Sequence, residues 1–462
     1  MNRPTRRFRA AVLLVGCAAN LLSTAALATS YEAERDLGRK FALQAQAQLP
    51  LLTDVDVVSY INRMGQRIVA KLDGNPFDYR FFVVRDPKIN AFAVPGGYIY
   101  FHSGLLVRAV TDDEVAGVMS HEIAHVHAHH LARQQEATKF MNYAALLGLV
   151  LSMVQPAIGA GAMAASAAAQ LKYRREFEQE ADYLGAGYMQ TGGYDSQGML
   201  DFFKTMADEQ RITPTFAPPY LLSHPLTDER LNHLEAVLRT QQWSTRPRRP
   251  ASAALARVQA VVRARTETAT AATTFYRRYV DDHPSDAQGR YLLGLTLLET
   301  GAFDPARQTL EQAAGMGYAA ADRELGRTWL RLRQPDKARD LLRRAVDSDA
   351  GDPLAHAELA KALETLGDTT GALREYDRAV ELAPTLEDAQ YSLAMLAGRA
   401  GREADGYFHL AEALRLRGEY DKALIQYEKA QPLLSPSSER AAYVRSQIGE
   451  LKEFLRDSGR RR

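Results

Sequence analysis

Five histidines and a glutamate lie close together in the stretch HEIAHVHAHH, residues 121–130. His121 and His125 are four residues apart, so on a helix both imidazoles lie on one face, about 6 Å apart along the axis. Neutral imidazoles in this arrangement are zinc ligands, and water bound to zinc has a pKa of about 7. Glu122 lies about 100° further round the helix, near enough to take a proton from that water. The stretch therefore predicts a zinc site that activates water.

The other three histidines of the stretch point elsewhere on a continuous helix. His127 and His130 project about 240° and 180° round from His121, and His129 lies about 12 Å along the axis. None of them could share a tetrahedral site with the first pair unless the helix were broken. We therefore interpret these three histidines as surface or packing residues.

The acidic stretch EFEQEAD, residues 176–182, supplies candidates for a third ligand. A catalytic zinc site needs three protein ligands and one open position. Glu178 could bind the metal, and Asp182, one helical turn later, could accept the outer N–H of His121. The other two glutamates of the stretch are interpreted as solvated.

Helices and a small sheet must position these residues. Residues 111–137 are predicted to form one long helix, which Thr111 caps and whose first turn is acidic. Hydrophobic periodicity also predicts helices within 31–70 and 171–192. The stretches YRFFVVRDP (79–87) and INAFAVPGGYIYFHSGLL (89–106) are predicted to form three short strands, the last two joined at Pro95-Gly96-Gly97.

The strand that precedes the histidine helix could form the edge of a substrate cleft. An exposed strand pairs with an extended peptide through main-chain hydrogen bonds and demands no particular sequence. Asn90 and Ala91 are the predicted substrate-binding positions. His102 in the same segment is interpreted as a turn or core residue.

The C-terminal part of the sequence repeats. Gly294, Gly326, Ala360 and Ala394 mark equivalent positions, with spacings of 32, 34 and 34 residues. This period predicts tetratricopeptide helix pairs, whose concave surface binds segments of other proteins; an irregular helical bundle is the alternative. A last unit follows Ala394 by only 17 residues, so we expect one helix to serve two repeats.

The first residues have the layout of an export signal, a basic MNRPTRRFR followed by an apolar stretch. Cleavage before Thr29 is favoured. The alternatives are a lipoprotein box at LVGC, in which Cys17 carries lipid, and a retained membrane anchor. Cys17 is the one cysteine of the 462 residues, so an internal disulfide is excluded and a zinc site must use nitrogen and oxygen ligands.

Residues 141–170 contain no charged residue. Gln155 and Pro156 interrupt the apolar run after about fifteen residues, whereas a membrane span needs about twenty. We interpret this stretch as a buried helical hairpin. The alternative is a lid that dips into a membrane or binds a partner beside the site.

Composition and charge are those of an ordinary globular protein, with 46% hydrophobic residues and a formal net charge of +1. No overall field favours nucleic acid. The predicted fold is mainly α, an α+β zincin domain with a small sheet followed by an α-solenoid. The predicted divisions are a signal peptide (1–28), a zinc metallopeptidase domain (29–240), a linker with the first helices of the C-terminal domain (241–285) and a tetratricopeptide repeat domain (286–462).

Three motifs together, SHEIAHVHAHH, EFEQEAD and LLSHPLTDERL (221–231), resemble the HtpX-like and CAAX-prenyl-protease-like gluzincin metallopeptidases. The resemblance implies one Zn2+ per chain, and it names the roles of five residues: the ligands His121, His125 and Glu178, the catalytic base Glu122 and the supporting acid Asp182.

The third motif adds His224 near the metal and Arg230 beneath the site, again by resemblance. His224 could donate to the oxyanion of the reaction intermediate, or it could occupy the fourth metal position and hold the enzyme inactive. For Arg230, a structural salt bridge and a direct catalytic role both stay open.

The leader and the repeats narrow the resemblance to periplasmic members from Gram-negative bacteria. It implies an endopeptidase that cleaves misfolded or stalled envelope proteins, with repeats that bind unfolded outer-membrane proteins or the beta-barrel assembly machinery. Peripheral membrane contact through 141–170 is a further expectation, and nucleic acid is not expected as a partner. The alternatives are a chaperone-like assembly adaptor whose proteolysis is minor and a structural zinc protein, in which Glu122 would have no purpose.

Overall fold

The computed structural model describes residues 31–133, 175–212, 218–243 and 249–459. The predicted signal peptide and the uncharged stretch 141–170 lie outside these residues. Within the described ranges, no helix combines the length and the apolar character needed to cross a bilayer.

The first part of the chain combines helices with one small sheet. Its elements are helix α1 (31–48), α2 (Val55–Val69), strands β1 (Arg80–Val84), β2 (Ala91–Val94) and β3 (Tyr98–His102), and helices α3 (Ser103–Arg108), α4 (Asp112–His127), α5 (Arg175–Gly192), α6 (Gln197–Ile212), α7 (Pro219–Ser223) and α8 (Asp228–Thr240). These bounds confirm the predicted strands and the turn between β2 and β3.

The sheet has the strand order β1-β3-β2. Strand β3 is parallel to β1, with Arg80 opposite Tyr98, and antiparallel to β2, with Ala91 opposite Phe101. All five residues of β3 are buried, because this central strand is covered on both faces. Strand β2 lies at an edge of the sheet, next to α4, and three of its four residues are buried.

Helix α4 is the buried centre of the first part. Its N-terminus is capped as predicted, with the Glu114 N–H donating to Thr111 Oγ1 at 3.2 Å. The residues from Val115 to Val126 are all buried, so this helix cannot present a solvated face. The predicted length was wrong, because α4 ends at His127 and a separate helical turn begins at His130.

The second part consists of antiparallel helix pairs, which confirms the mainly α class. Its helices are α9 (Ala253–Thr266), α10 (Ala269–Asp282), α11 (Ala287–Glu299), α12 (Phe303–Gly315), α13 (Ala321–Arg331), α14 (Pro335–Ser348), α15 (Pro353–Thr365), α16 (Thr369–Leu382), α17 (Glu387–Arg399), α18 (Glu403–Leu416), α19 (Tyr420–Ala430) and α20 (Glu439–Gly459), with a 3-10 turn at Gln431–Leu433.

Small residues mark the helix contacts of the array, as the repeat period predicted. A Cβ on Gly326 would lie 2.4 Å from Leu342 Cγ, and one on Gly294 would lie 2.6 Å from Leu310 Cγ. A larger side chain would therefore push the paired helices apart. Helix α18 packs nearly as extensively against α19 as against α17, as expected for one helix that serves two repeats.

The array curls around the first part and contacts it at both ends. At the near end, one apolar core runs from Phe101 and Met119 into Val261 and Leu293 of the array. At the far end, the Tyr420 hydroxyl donates to the Leu43 carbonyl of α1 at 2.7 Å.

Between these ends, buried charges join α2 to the array. The Arg323 guanidinium donates to both carboxylate oxygens of Asp56, at 3.0 and 2.6 Å, and to Asp352 at 2.9 Å. Because Arg323 is only 4% exposed, these bonds fix where α2 sits against α13 and α15.

Candidate metal centre

Four chain segments bring polar side chains together in the core of the first part. Helix α4 carries His121, Glu122 and His125, and α5 carries Glu178 one turn before Asp182. The two helices can approach because α5 has a glycine at the crossing. A Cβ on Gly185 would lie only 3.1 Å from the backbone nitrogen of His121. The third and fourth segments are the end of α7, followed directly by His224, and the first turn of α8, with Arg230.

Four side chains offer converging donor atoms. His121, His125, Glu178 and His224 are all buried, and one ligand atom from each lies within 4.8 Å of the others. Nε2 of His121 is 3.0 Å from Nε2 of His125 and 3.3 Å from Nδ1 of His224. Oε1 of Glu178 lies 3.4 Å from Nε2 of His125 and 3.0 Å from Nδ1 of His224.

This donor set fits zinc. Ligand atoms bound tetrahedrally at 2.0–2.1 Å lie roughly 3.3 Å apart, which is close to the separations here. Lone pairs of imidazole nitrogens and a carboxylate oxygen converge there, and a cation between them would relieve their repulsion. Burial also lowers the pKa of His125 well below its ordinary value, so its imidazole is neutral and able to bind a metal.

Asp182 and Arg230 support the ligands from outside. Nδ1 of His121 lies 3.0 Å from Oδ1 of Asp182, which orients the imidazole so that Nε2 faces the other donors. Arg230 donates from Nε and Nη2 to Asp182 at 2.6 and 2.8 Å, and its Nη1 lies 2.5 Å from Oε2 of Glu178.

Arg230 also governs the charge of both carboxylates. Burial acts to raise the pKa of Glu178, but Arg230 and then His224 outweigh it and hold that pKa well below its ordinary value. Burial likewise opposes ionisation of Asp182, and Arg230 lowers its pKa overall. Both acids are therefore ionised in the core.

Glu122 faces the same cluster but contacts it less closely. Its Oε1 is buried, has no hydrogen-bond partner among the described residues and lies 3.6 Å from Nε2 of His224. Burial raises the pKa of Glu122. Burial would lower the pKa of His224, but Glu178 and Glu122 outweigh it, so that pKa is raised.

All seven polar residues predicted for the centre thus lie in one buried cluster. His130 is a packing residue, one of the two possibilities predicted for it, but its predicted direction from the helix was wrong. His130 is fully buried, and its Nδ1 lies 2.9 Å from Nδ1 of His125. The predicted angle of about 180° assumed that the helix continues. Instead the chain turns at His129, whose φ is +54°, and brings the next side chain back onto α4. Burial lowers the pKa of His130 to about 4.

The remaining histidines lie away from the donor atoms, as expected. Nδ1 of His127 is 2.6 Å from the Tyr188 hydroxyl, and Nδ1 of His129 is 3.0 Å from Glu34. His102 is a buried core residue, 3.5 Å from Asp86.

The two predicted substrate-binding residues lie at the start of the edge strand. Asn90 and Ala91 are both buried, and the Asn90 carbonyl accepts the His102 N–H at 2.9 Å. Neither side chain belongs to the converging donor set.

Two aromatic residues of the centre were not predicted. The buried ring of Tyr220 stacks on His224 with 4.6 Å between centroids, and the Phe203 ring lies 5.1 Å beneath the Arg230 guanidinium. The spacing of Tyr220 and His224, four residues apart in YLLSH, was the available signal for the first. Phe203 carries no such signal, since it is one apolar residue among several on α6.

Sequence comparison assigns both parts of the chain. Residues 57–238 match the model of peptidase family M48, and the tetratricopeptide repeat model matches at 255–324, 291–353 and 323–387. The family match covers α2 to α8 and therefore the whole donor cluster.

Curated relatives carry protease names. The chain is 34% identical over 235 residues to the beta-barrel assembly-enhancing protease of Yersinia pestis, covering 49% of this chain and 48% of the relative. For the protease of that name from Escherichia coli K12 the identity is 33% over 206 residues, covering 43% and 42%. The mitochondrial metalloendopeptidase OMA1 of Saccharomyces cerevisiae is 31% identical over 172 residues, covering 36% and 48%.

These relatives and the family model support a metalloendopeptidase, although the chain spans less than half the length of each of the three. The predicted resemblance is confirmed in its main terms, because both the protease family and the tetratricopeptide repeats are found. The chain contains a peptidase family M48 domain followed by tetratricopeptide repeats.

Proposed function

We propose that this protein is an exported zinc-dependent endopeptidase. The observation that carries the proposal is the buried convergence of His121, His125 and Glu178 beside the carboxylate of Glu122. A zinc ion held there would polarise a peptide carbonyl and make water a nucleophile near neutral pH.

The protein's own groups supply the proton transfers and the alignment. Glu122 takes a proton from the attacking water at its free Oε1 and passes it to the leaving amine. Its raised pKa brings the carboxyl closer to the working pH, which favours both transfers. Asp182 and Arg230 hold two of the ligands in place, so we assign Arg230 a structural salt bridge rather than a catalytic role.

His224 has two alternative roles. Its Nδ1 lies 3.0 Å from Oε1 of Glu178 and 3.3 Å from Nε2 of His121, among the atoms that a fourth ligand would join. A fourth ligand needs a neutral ring, whereas the raised pKa of His224 favours the charged ring, which could donate to an oxyanion. We expect His224→Ala to raise basal proteolysis; if activity is lost instead, the oxyanion role is supported.

The edge strand β2 is proposed to hold the substrate backbone. Hydrogen-bonded and non-bonded pairs alternate in an antiparallel ladder. Because Asn90 bonds across to His102, Phe92 and Val94 should do the same with β3, leaving the main-chain groups of Ala91 and Ala93 directed outwards. We therefore keep Ala91 as a substrate-binding position and add Ala93, while Asn90 would act by anchoring the strand.

The biological role rests on the named relatives. Two of them are named for beta-barrel assembly, and tetratricopeptide repeats bind segments of other proteins. We propose that the substrates are misfolded or stalled envelope proteins in the periplasm, with the repeats contacting them or the assembly machinery. The predicted domain limits, the lipidation of Cys17 and the membrane contact through 141–170 stay predictions.

The test compares wild type with Glu122→Gln, using Glu176→Gln on the exposed side of α5 as the control. We expect one zinc per chain in all three proteins by elemental analysis. Cleavage of casein and of an unfolded barrel protein should fall about 100-fold or more in Glu122→Gln, because the proton acceptor is lost.

Other outcomes point to the alternatives. If Glu122→Gln fully complements a deletion strain, the chaperone-like adaptor is the better description. Zinc binding with no cleavage by either wild type or His224→Ala would indicate a structural zinc protein, and a wild type that binds no zinc would refute the proposal.

A further inference from the structure

The outer nitrogens of the two histidines on α4 are held differently. Nδ1 of His121 faces the Asp182 carboxylate at 3.0 Å. Nδ1 of His125 instead faces another imidazole, Nδ1 of His130, at 2.9 Å. A ligand histidine needs a partner for its outer N–H, since that bond fixes the tautomer and the ring orientation.

The end of α4 is built to place that second imidazole. The Ala128 and His129 N–H groups donate to Ala124 and Val126 carbonyls at 2.9 and 3.0 Å, which closes the helix, and His129 then takes a φ of +54°. A left-handed conformation is uncommon for a residue with a side chain. Its effect here is to turn His130 back towards α4.

The ring of His130 is fixed on its other sides as well. It is fully buried and stacks on Phe177, with 4.7 Å between centroids and 11° between planes. Its Nε2 lies 3.3 Å from Oε2 of Glu180, which also accepts from Arg133 at 3.0 Å. Phe177 and Glu180 flank the ligand Glu178 on α5.

The proton positions along the series His125, His130 and Glu180 follow from the metal-binding role of His125. Its Nε2 must present a lone pair to the metal, so its Nδ1 carries the hydrogen and donates to His130. Nδ1 of His130 is then the acceptor, and its Nε2 carries the hydrogen of the ring, 3.3 Å from Oε2 of Glu180.

We propose that His130 is a positioning residue of the metal centre, which holds His125 by accepting its outer N–H and is itself oriented by Glu180. The inference rests on the proposed zinc site. It goes beyond the ligand set, because it gives a role to a histidine that does not reach the metal.

The test separates the acceptor from the volume of the ring. His130→Phe keeps an aromatic ring against Phe177 but removes the acceptor, whereas His130→Asn keeps an acceptor oxygen. His127→Phe is the control, because His127 is in the same run but bonds to Tyr188. Zinc affinity of the full chain is measured by competition with a chromophoric chelator, and folding by circular dichroism.

We expect zinc affinity to fall about 10–100-fold in His130→Phe, as for other partners of metal ligands, and to be largely restored in His130→Asn. Unchanged affinity in His130→Phe, or equal losses in both variants, would overturn the acceptor role. If wild type itself binds no zinc, the proposed function fails, which this series distinguishes from failure of the inference alone.

A measurement on wild type covers the case in which His130→Phe does not fold. Nitrogen-15 NMR of histidine-labelled, zinc-loaded protein should show His130 with a bare Nδ1 and a protonated Nε2. The opposite tautomer or a doubly protonated ring would overturn the proposal.

Discussion

The replacement of Arg230 by methionine tests what holds the centre together before any metal binds. Arg230, Glu178 and Asp182 are each at most 2% exposed, so water cannot take over the role of the lost guanidinium. The substitution leaves two ionised carboxylates in the core without their main cation. Removing one partner of a buried ion pair costs about 3–5 kcal/mol, and we expect a loss of this size in zinc-free protein.

The loss of stability in Arg230→Met should be smaller, but still present, when zinc is added. Zinc would supply a cation to Glu178, whereas Asp182 would keep only its contact with His121. Arg230→Lys should be intermediate, because an ammonium cannot form the paired bonds that the planar guanidinium makes with Asp182.

The assay is urea unfolding followed by circular dichroism, with chelator or with saturating zinc. Arg239→Met is the matched control, since Arg239 is an exposed arginine on the same helix that pairs with Glu235. We expect it to change stability by less than about 0.5 kcal/mol. The reasoning is refuted if zinc-free Arg230→Met unfolds within about 1 kcal/mol of wild type.

Two further predictions concern the array. Burial acts to raise the pKa of Glu324, but Arg323 and Arg327 outweigh it and lower that pKa to about 2. The ionised Glu324 carboxylate therefore stabilises the fold fully above pH 4.5, and this stabilisation is lost as the pH falls towards 2. This pKa difference corresponds to about 3 kcal/mol of stability. In urea unfolding, Glu324→Gln should therefore be less stable than wild type by about this amount at pH 7, and the two proteins should become similar in stability near pH 2. An equal stability difference at both pH values would contradict the prediction. Gly326→Ala should lower the stability by about 1–3 kcal/mol, because the new methyl group overlaps Leu342. Gly398→Ala is the control and should not destabilise, because its new methyl group would have nothing within 4 Å. If thermal unfolding shows the same loss for both variants, close helix contact at Gly326 is contradicted.

Local spacing was enough to predict the parts of the centre that lie on one helix. The pair His121 and His125 and the pair Glu178 and Asp182 each depend only on the pitch of a helix, and the structure keeps both helices intact there. The repeats were predictable for a similar reason. Small residues such as Gly326 are required wherever two helices touch, so their period records the packing.

Contacts that depend on where the chain reverses direction were harder to predict from the sequence. His130 was placed on the far side of α4 because the helix was expected to continue through VHAHH, which contains no glycine or proline that would end it. The helix ends at a left-handed His129, a conformation that residue type alone does not indicate. His224 follows α7 and Arg230 lies on α8, and only the family resemblance connected them with the histidines.

The salt bridge between Asp56 and Arg323 could not be foreseen at all. The two residues are 267 positions apart, and nothing in the sequence around either of them indicates its partner. Pairing across that distance depends on how the array curls, which no local pattern records.

The seating of the array at two places limits how many repeats this protein can have. A solenoid with one free end gains or loses units easily, since each unit touches only its neighbours. Here the last helices reach α1, where a Cβ on Gly418 would lie 2.9 Å from Cα of Ala47. One extra helix pair would carry the last helices past their contact with α1, and one fewer pair would leave them short of it. The size of the first part of the chain thus determines the number of repeats that can reach both contacts.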